Sequence, residues 1–161
     1  MEKYVITTEN TADLPHSYYK EHQVEYMYLT YQLDGITYNK ENELDFKEFY
    51  SRMRAGSMPT TSQVNSEEAK DVLRPLLEAG NDVLHLAFSS GLSGSYNSVR
   101  LAAEELKEEY PDRKILVVDS LCASLGEGLF VYKAVQMKEA GASVDEVAAW
   151  LEEHKQNFCH V

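Results

Sequence analysis

Cysteine is scarce in this sequence of 161 residues, where it occurs only as Cys122 and Cys159. Two cysteines this far apart lack the spacing of a structural zinc site, and they are predicted to be reduced thiols of a cytoplasmic protein. His, Cys, Asp and Glu are nowhere clustered with metal-ligand spacing. The sequence therefore predicts neither a metal site nor a resident cofactor.

Long apolar runs are also missing. No run approaches the roughly 18 residues that a transmembrane helix requires, so no membrane span is expected. The first residues, MEKYVITT, enter a predicted strand directly and do not have the pattern of a signal peptide.

Basic residues are also few compared with acidic ones. Lys and Arg number 15 against 27 Asp and Glu, which gives a net charge of −12. Phosphate backbones are held by basic clusters, and this sequence has none, so nucleic acid is excluded as a partner. An anionic ligand would be attracted only locally, against the overall field of the protein.

Nucleotide and hydrolase motifs are incomplete. The sequence has neither a P-loop nor a full dinucleotide fingerprint. Residues 91–95, GLSGS, miss the nucleophile elbow G-x-S-x-G at their last position, Ser95. His85, the nearest candidate base, lies inside an apolar run and is predicted to be buried. These departures argue against a serine hydrolase, and a small-molecule hydrolase that uses Ser93 is kept as an alternative.

Strands and helices alternate along the chain, which predicts βαβ units and a mainly parallel sheet with helices on both faces. Strands are predicted at 3–8, 83–88 and 114–118, with an extended segment at 24–32 and a hairpin turn at 34–35 leading into 36–38. Helices are predicted at 16–22, 45–54, 65–80, 96–110, from after Gly128 to 140, and at 143–157.

Two hydroxyl-rich loops stand out. They are residues 58–63, MPTTSQ, and residues 89–95, SSGLSGS. The second lies between a strand and a helix start, where free N–H groups favour anions. Neither loop has a charged residue, so an anion would be held by neutral donors, which favours a small acidic head group. Alternatively, Ser93 or Ser95 simply caps the following helix.

Three acidic residues are predicted to lie near the ends of strands. They are Glu9, Asp13 and Asp119. Capping is the favoured interpretation: Asp13 would cap the helix at 14–22, and Asp119 would accept from the N–H groups of its own loop. The loops after residues 8, 88 and 118 share the carboxyl edge of a parallel sheet, where ligands bind. The sequence alone does not bring residues 59–63 there.

Four motifs in register resemble the DegV family. They are TADLP at 11–15, PTTSQ at 59–63, SSGLSGSY at 89–96, and DS at 119–120 followed by SLG at 124–126 and Gly128. The resemblance extends from residue 3 to the end of the chain. It implies a DegV-like N-terminal α/β lobe of a bacterial fatty-acid-binding protein. The carboxylate of a long-chain fatty acid would be held by Thr61, Ser62, Ser93 and Gly94.

The resemblance also implies a partner. Some DegV proteins are non-catalytic subunits that present the fatty acid to an ATP-binding kinase subunit. Family members are longer, so residues 1–157 are expected to form one lobe and 158–161 to begin a truncated second lobe. A lobe that docks a partner without binding lipid alone is the second hypothesis. Glu9-Asn10 replaces the family's Asp-Ser, and Val64 replaces Pro.

Overall fold

The computed structural model describes residues 3–158 of the chain. Its strands are Tyr4–Glu9 (β1), Glu25–Met27 (β2), Tyr31–Leu33 (β3), Ile36–Tyr38 (β4), Thr60–Thr61 (β5), Asp82–Ala87 (β6) and Ile115–Asp119 (β7). Its α-helices are His16–Glu21 (α1), Phe46–Arg54 (α2), Ser66–Glu78 (α3), Ser95–Glu109 (α4), Ser124–Glu139 (α5) and Val144–His154 (α6).

A parallel sheet of four strands, in the order β2-β1-β6-β7, forms the centre of the molecule. Val83 of β6 is level with Val5 of β1 on one side and with Ile115 of β7 on the other. Every residue of β6 is buried. A parallel strand that is covered on both faces is expected to read as a continuous apolar run, as this one does. The predicted fold class is confirmed.

Helices cover both faces of this sheet, each above its own core. On one face Phe130 of α5 and Leu151 of α6 pack in the same core as Ile6 and Leu86. The core of the other face contains, from helices α3 and α4, the side chains Leu73, Leu77, Val99 and Leu106. All of these side chains are at most 2% exposed, so apolar burial is extensive in both layers.

A second, smaller sheet is antiparallel and has the order β4-β3-β5. The predicted hairpin is present: Asp34 and Gly35 have positive φ angles of 53° and 79°, as a tight turn between β3 and β4 requires. Thr61 pairs with Tyr31, and Thr60 pairs with Gln32. The extended segment predicted at 24–32 is therefore divided between two sheets, and part of the predicted hydroxyl loop is a short strand.

Three of the predicted helix starts are confirmed by side-chain caps. Asp45 accepts hydrogen bonds from the backbone at the start of α2, and Asn65 and Ser143 form capping boxes with Glu68 and Glu146. Each such cap satisfies N–H groups that have no partner inside the helix.

Asp13 does not cap α1, and that prediction was wrong. The residue at the N-cap position is Pro15, and Asp13 adopts a left-handed conformation with φ of 52°. Its carboxylate instead accepts a hydrogen bond of 2.6 Å from the Ser124 hydroxyl. Helix α5 also begins earlier than predicted, at Ser124, because Gly126 and Gly128 are helical rather than part of a loop.

Among residues 3–158, no helix combines the length and the apolar character needed to cross a membrane. Within the same range, no group of three or more His, Cys, Asp or Glu side chains could hold a metal ion. Phe158 packs edge-on against Phe130, with ring centroids 4.9 Å apart. Residues 159–161, where a second lobe is predicted to begin, lie outside the described residues.

Gly128 allows α5 to approach the loop that follows β1. A Cβ at this position would lie 2.5 Å from the Ala12 carbonyl oxygen. We expect Gly128→Ala to lower the free energy of unfolding by about 1–3 kcal/mol, because backbone must move to admit the methyl group. This reverses the gain of about 1 kcal/mol that Ala normally gives in a helix. Urea denaturation followed by circular dichroism measures the change.

The matched control is Gly91→Ala, where the new Cβ would meet only the Ser89 hydroxyl at 3.5 Å, an ordinary contact. We expect that variant to stay within about 0.5 kcal/mol of the wild type. A Gly128→Ala protein as stable as the control would contradict the close approach.

Candidate ligand-binding site

Three loops meet at the carboxyl edge of the parallel sheet, because parallel strands all end on the same side. The loops that follow β6 and β7 are joined by hydrogen bonds. The Ser89 N–H donates to the Cys122 carbonyl at 3.0 Å, and the Ser120 hydroxyl donates to the Ala87 carbonyl at 2.7 Å. Asp119 accepts from the N–H groups of Ser90 and of Leu121. Asp119 thus binds its own loop, as predicted, and the serine-rich loop as well.

The first hydroxyl loop lies beside the second. The Val64 N–H donates to the Ser95 hydroxyl at 3.1 Å, across the gap between the two loops. The side chain of Gln63 lies over Gly94, since a Cβ at Gly94 would overlap its carboxamide and require that flexible side chain to move. Segment 58–63 is held from its other side by β3, where the Ser62 N–H donates to the Thr30 carbonyl at 2.9 Å.

The four residues predicted to bind a ligand therefore come from two neighbouring segments. Thr61, Ser62 and Gly94 are exposed, and Ser93 is half-buried. The Ser93 hydroxyl lies 2.9 Å from the Ser95 hydroxyl and accepts from the Ser95 N–H at 3.1 Å. The Val64 N–H, the Ser95 hydroxyl and the Ser93 hydroxyl thus form a continuous row of hydrogen-bonding atoms.

The start of helix α4 bears on the capping alternative. The backbone N-cap residue is Gly94, which has no side chain to cap the helix. The capping alternative is confirmed for Ser93, because its hydroxyl accepts from the Ser95 N–H at 3.1 Å and so caps the first turn. Ser95 is the first residue of the helix and does not cap it. The positive end of the helix dipole still favours an anion at this position.

A buried cluster of polar side chains lies behind these loops. We call it the buried acid cluster; it comprises Thr7, Thr8, Glu9, Thr11, His85 and Glu127. Apart from Thr11, which is half-buried, its members are fully buried. Buried polar groups of this kind are expected to be hydrogen-bonded.

Glu9 holds the end of β6. One of its carboxylate oxygens accepts from the Phe88 N–H at 3.0 Å, and the other lies 3.4 Å from His85 Nε2. His85 Nδ1 is 2.9 Å from the Thr7 hydroxyl. Both ring nitrogens of His85 are thus engaged within the cluster, and His85 is not placed to act as a base for Ser93. His85 is buried, as the sequence predicts.

Glu127 extends from the first turn of α5 into the same cluster. Its two carboxylate oxygens accept from the hydroxyls of Thr8 and Thr11 at 2.9 and 2.8 Å. Burial raises the pKa of Glu127 well above the usual value for a carboxyl group, and the nearby negative charge of Glu9 raises it further. The two threonine hydroxyls act in the opposite direction, because they stabilise the ionised form.

The family model described as an uncharacterised protein of the DegV family matches residues 3–161. The chain belongs to the DegV family. A DegV domain-containing protein of Clostridium perfringens is 47% identical over 162 residues, which cover 99% of this chain and 56% of that protein. One from Lactococcus lactis is 37% identical over 89% of this chain and 50% of its own length. The chain spans about half the length of these relatives.

Solved structures of DegV proteins have the same fold. A stearic acid-binding protein from Eubacterium ventriosum has a TM-score of 0.84 at 31% identity, over 92% of this chain and 52% of that chain. A fatty-acid-binding DegV protein from Thermus thermophilus has a TM-score of 0.83 at 36% identity, over 97% of this chain and 54% of its own.

Sequence reasoning did not identify Glu127 or the contacts of Glu9 within the buried acid cluster. One sequence feature that indicates a buried acid is Glu127 itself, a carboxylate between two glycines in the first turn of helix α5. Polar Thr7 and Thr8 at the end of a buried strand were another. Charged residues are almost never fully buried unless they are paired, so helix periodicity alone assigns Glu127 to solvent.

Glu127→Gln tests the raised pKa. The unfolded chain ionises near pH 4.3, the ordinary value for Glu, whereas the folded protein ionises at higher pH. Across that interval the folded state binds more protons, so the stability of the wild type falls as pH rises. Gln resembles the neutral carboxyl and lacks this loss. The stability of the variant relative to the wild type should therefore increase with pH and then level off above the folded-state pKa.

Urea denaturation at a series of pH values measures both profiles. The control is Glu108→Gln, at an exposed position on α4, whose profile should parallel that of the wild type. A Glu127→Gln profile that also runs parallel to the wild type would contradict the raised pKa.

Proposed function

We propose that this chain binds a long-chain fatty acid, with the carboxylate held by the hydroxyls and amides of Thr61, Ser62, Ser93 and Gly94. The observation that carries the proposal is the meeting of the two hydroxyl loops, through Val64 and Ser95, at the N-terminus of helix α4. Solved relatives that bind fatty acids support the same ligand.

Neutral donors are sufficient for the head group because the tail supplies most of the affinity. A carboxylate that accepts several hydrogen bonds is charge-assisted, and a helix N-terminus adds about 0.3–1 kcal/mol. Each buried CH₂ contributes about 0.8 kcal/mol, so a long acyl chain contributes roughly 10 kcal/mol before the entropy of binding is subtracted.

Apolar side chains near the same edge support a lipid tail. Leu92 of the serine-rich loop is 67% exposed, Leu121 after β7 is 40% exposed, and Leu125 in the first turn of α5 is 64% exposed. Neighbouring exposed leucines beside a polar head-group site are consistent with one wall of an acyl tunnel. The rest of the tunnel would come from polypeptide that the longer relatives possess.

The second candidate is a cytoplasmic interaction lobe that presents lipid to, or docks, an ATP-binding fatty acid kinase subunit and does not itself catalyse the phosphorylation. It is favoured by the outer face of α5, where Leu125, Leu129 and Tyr132 are all exposed. A group of exposed apolar side chains on one helix face is typical of a surface that contacts a partner. Binding of such a kinase subunit to α5 would not require that this lobe alone enclose a fatty acid.

Thr61→Ala combined with Ser93→Ala tests the head-group assignment. Hydrogen bonds to a charged group contribute about 1.5–3 kcal/mol each, so we expect stearate affinity to fall by at least about tenfold. The protein is delipidated, reloaded with stearate, and examined by native mass spectrometry across a concentration series. The matched control, Thr60→Ala with Ser90→Ala, removes hydroxyls from the same two segments and should bind like the wild type.

Equal stearate affinity in the two double variants would refute the head-group assignment. A wild-type chain that takes up no stearate would favour the interaction lobe instead. Binding of the ATP-binding subunit, measured by gel filtration with and without stearate, then distinguishes a lipid-presenting subunit from a lobe that docks without lipid.

A further inference from the structure

A large cavity lies beside strand β3, where Tyr31 of its wall pairs with Thr61 of β5. Its volume is about 660 Å³, within the range of roughly 300–1,000 Å³ that is typical of small-molecule sites. We call it the aromatic pocket. Its walls are formed chiefly by the rings of Tyr19, Tyr26, Tyr28, Tyr31, Phe49 and Tyr50. Thr61, Ser62, Ser93 and Gly94 do not line it.

The charged groups that line the aromatic pocket are acidic. They are Asp13 and Glu43, and His16 is beside Glu43. No Lys or Arg among the described residues lines the pocket. Glu43 is held in place by two neighbours: one carboxylate oxygen accepts from the Tyr28 hydroxyl at 3.3 Å, and the other lies 3.1 Å from His16 Nε2. A carboxylate anion would thus meet negative charge and the electron-rich faces of rings.

One ring of the pocket wall also contacts a cation that lies outside the cavity. Lys40 Nζ lies 4.0 Å from the centroid of the Tyr26 ring. An ammonium group within about 6 Å of a ring centroid is attracted by the negative face of the ring. Lys40 itself is exposed and does not line the cavity. The contact shows that the Tyr26 ring binds an ammonium group.

We propose that the aromatic pocket binds an organic ammonium cation, which would lie against the tyrosine rings with its charge directed to Glu43 and Asp13. The cation is a small alkylamine or the lysine side chain of a peptide, and both offer the same group. This site is separate from the proposed fatty-acid site, and the proposal does not rest on that function.

The test is a titration of the full chain, followed by NMR of the tyrosine rings. The probes are n-butylammonium chloride, N-acetyl-lysine methylamide and, as the matched anion, sodium butyrate. We expect saturable shifts of the pocket tyrosines with the two ammonium probes and none with butyrate. Tighter binding of butylammonium identifies a free amine, and tighter binding of the lysine derivative identifies a peptide side chain. Failure of both to saturate, or equal binding of butyrate, would overturn the proposal.

Two variants locate the cation. Glu43→Gln removes the charge at the pocket wall and should weaken butylammonium binding severalfold, whereas Glu41→Gln, an exposed acid that does not line the pocket, should not. Lys40→Ala removes a competing positive charge beside Tyr26 and should tighten binding by about twofold to fivefold.

Lys47→Ala is the control for that gain, because it makes the same charge change at an exposed position of α2. An equal gain in Lys47→Ala and Lys40→Ala would mean that only long-range charge is involved, and it would overturn the proposed place of the cation.

Discussion

Glu9 and Glu127 are two fully buried carboxylates behind the carboxyl edge of the parallel sheet, and each needs donors from within the protein. Those donors come from different parts of the chain. Glu9 accepts from the backbone at Phe88, and Glu127 accepts from Thr8 and Thr11. The loop after β1, the end of β6 and the first turn of α5 are therefore fixed together. The serine-rich loop begins directly after Phe88, so its start is held in place by the hydrogen bond from the Phe88 N–H to Glu9.

The two proposed sites need opposite local fields within one strongly acidic protein. At the hydroxyl loops, neutral donors and a helix start offer partial positive charge, which competes with a net charge of −12. In the aromatic pocket, Glu43 and the tyrosine faces act in the same direction as the net charge. Solution salt screens exposed charges over about 10 Å, so we expect ionic strength to affect affinity in opposite senses at the two sites.

The parts of the fold that could be predicted are the elements with a local signal in the sequence. The apolar run of β6, the Asp34–Gly35 turn and the Ser143 capping box are local signals, and each is present in the structure. The start of α5 was missed because Gly126 and Gly128 resemble loop residues. Glycine is needed at position 128 of the helix, since a Cβ there would lie 2.5 Å from the Ala12 carbonyl oxygen. That requirement is a tertiary contact, which the sequence does not display.

The site was predictable only in part, for a related reason. Both hydroxyl loops were identifiable from composition, but their meeting depends on a bond between Val64 and Ser95, 31 positions apart. The role of Asp13 was misjudged because a helix-start signal is local, whereas its partner Ser124 is 111 positions away. Glu127 was overlooked because its burial follows from tertiary packing and not from the helical spacing of apolar residues in the sequence.

Strand β5 is only two residues long, yet its pairing with β3 determines which face of the small sheet carries Thr60 and which carries Thr61. Thr60 and Thr61 pair with Gln32 and Tyr31, and successive strand residues point to opposite faces. A shift of the pairing by one residue would exchange the two hydroxyls. An insertion or loss of one residue between α2 and β5 that shifts this pairing would also displace Val64, a core residue three positions after Thr61. Length there, as much as residue identity, is under constraint.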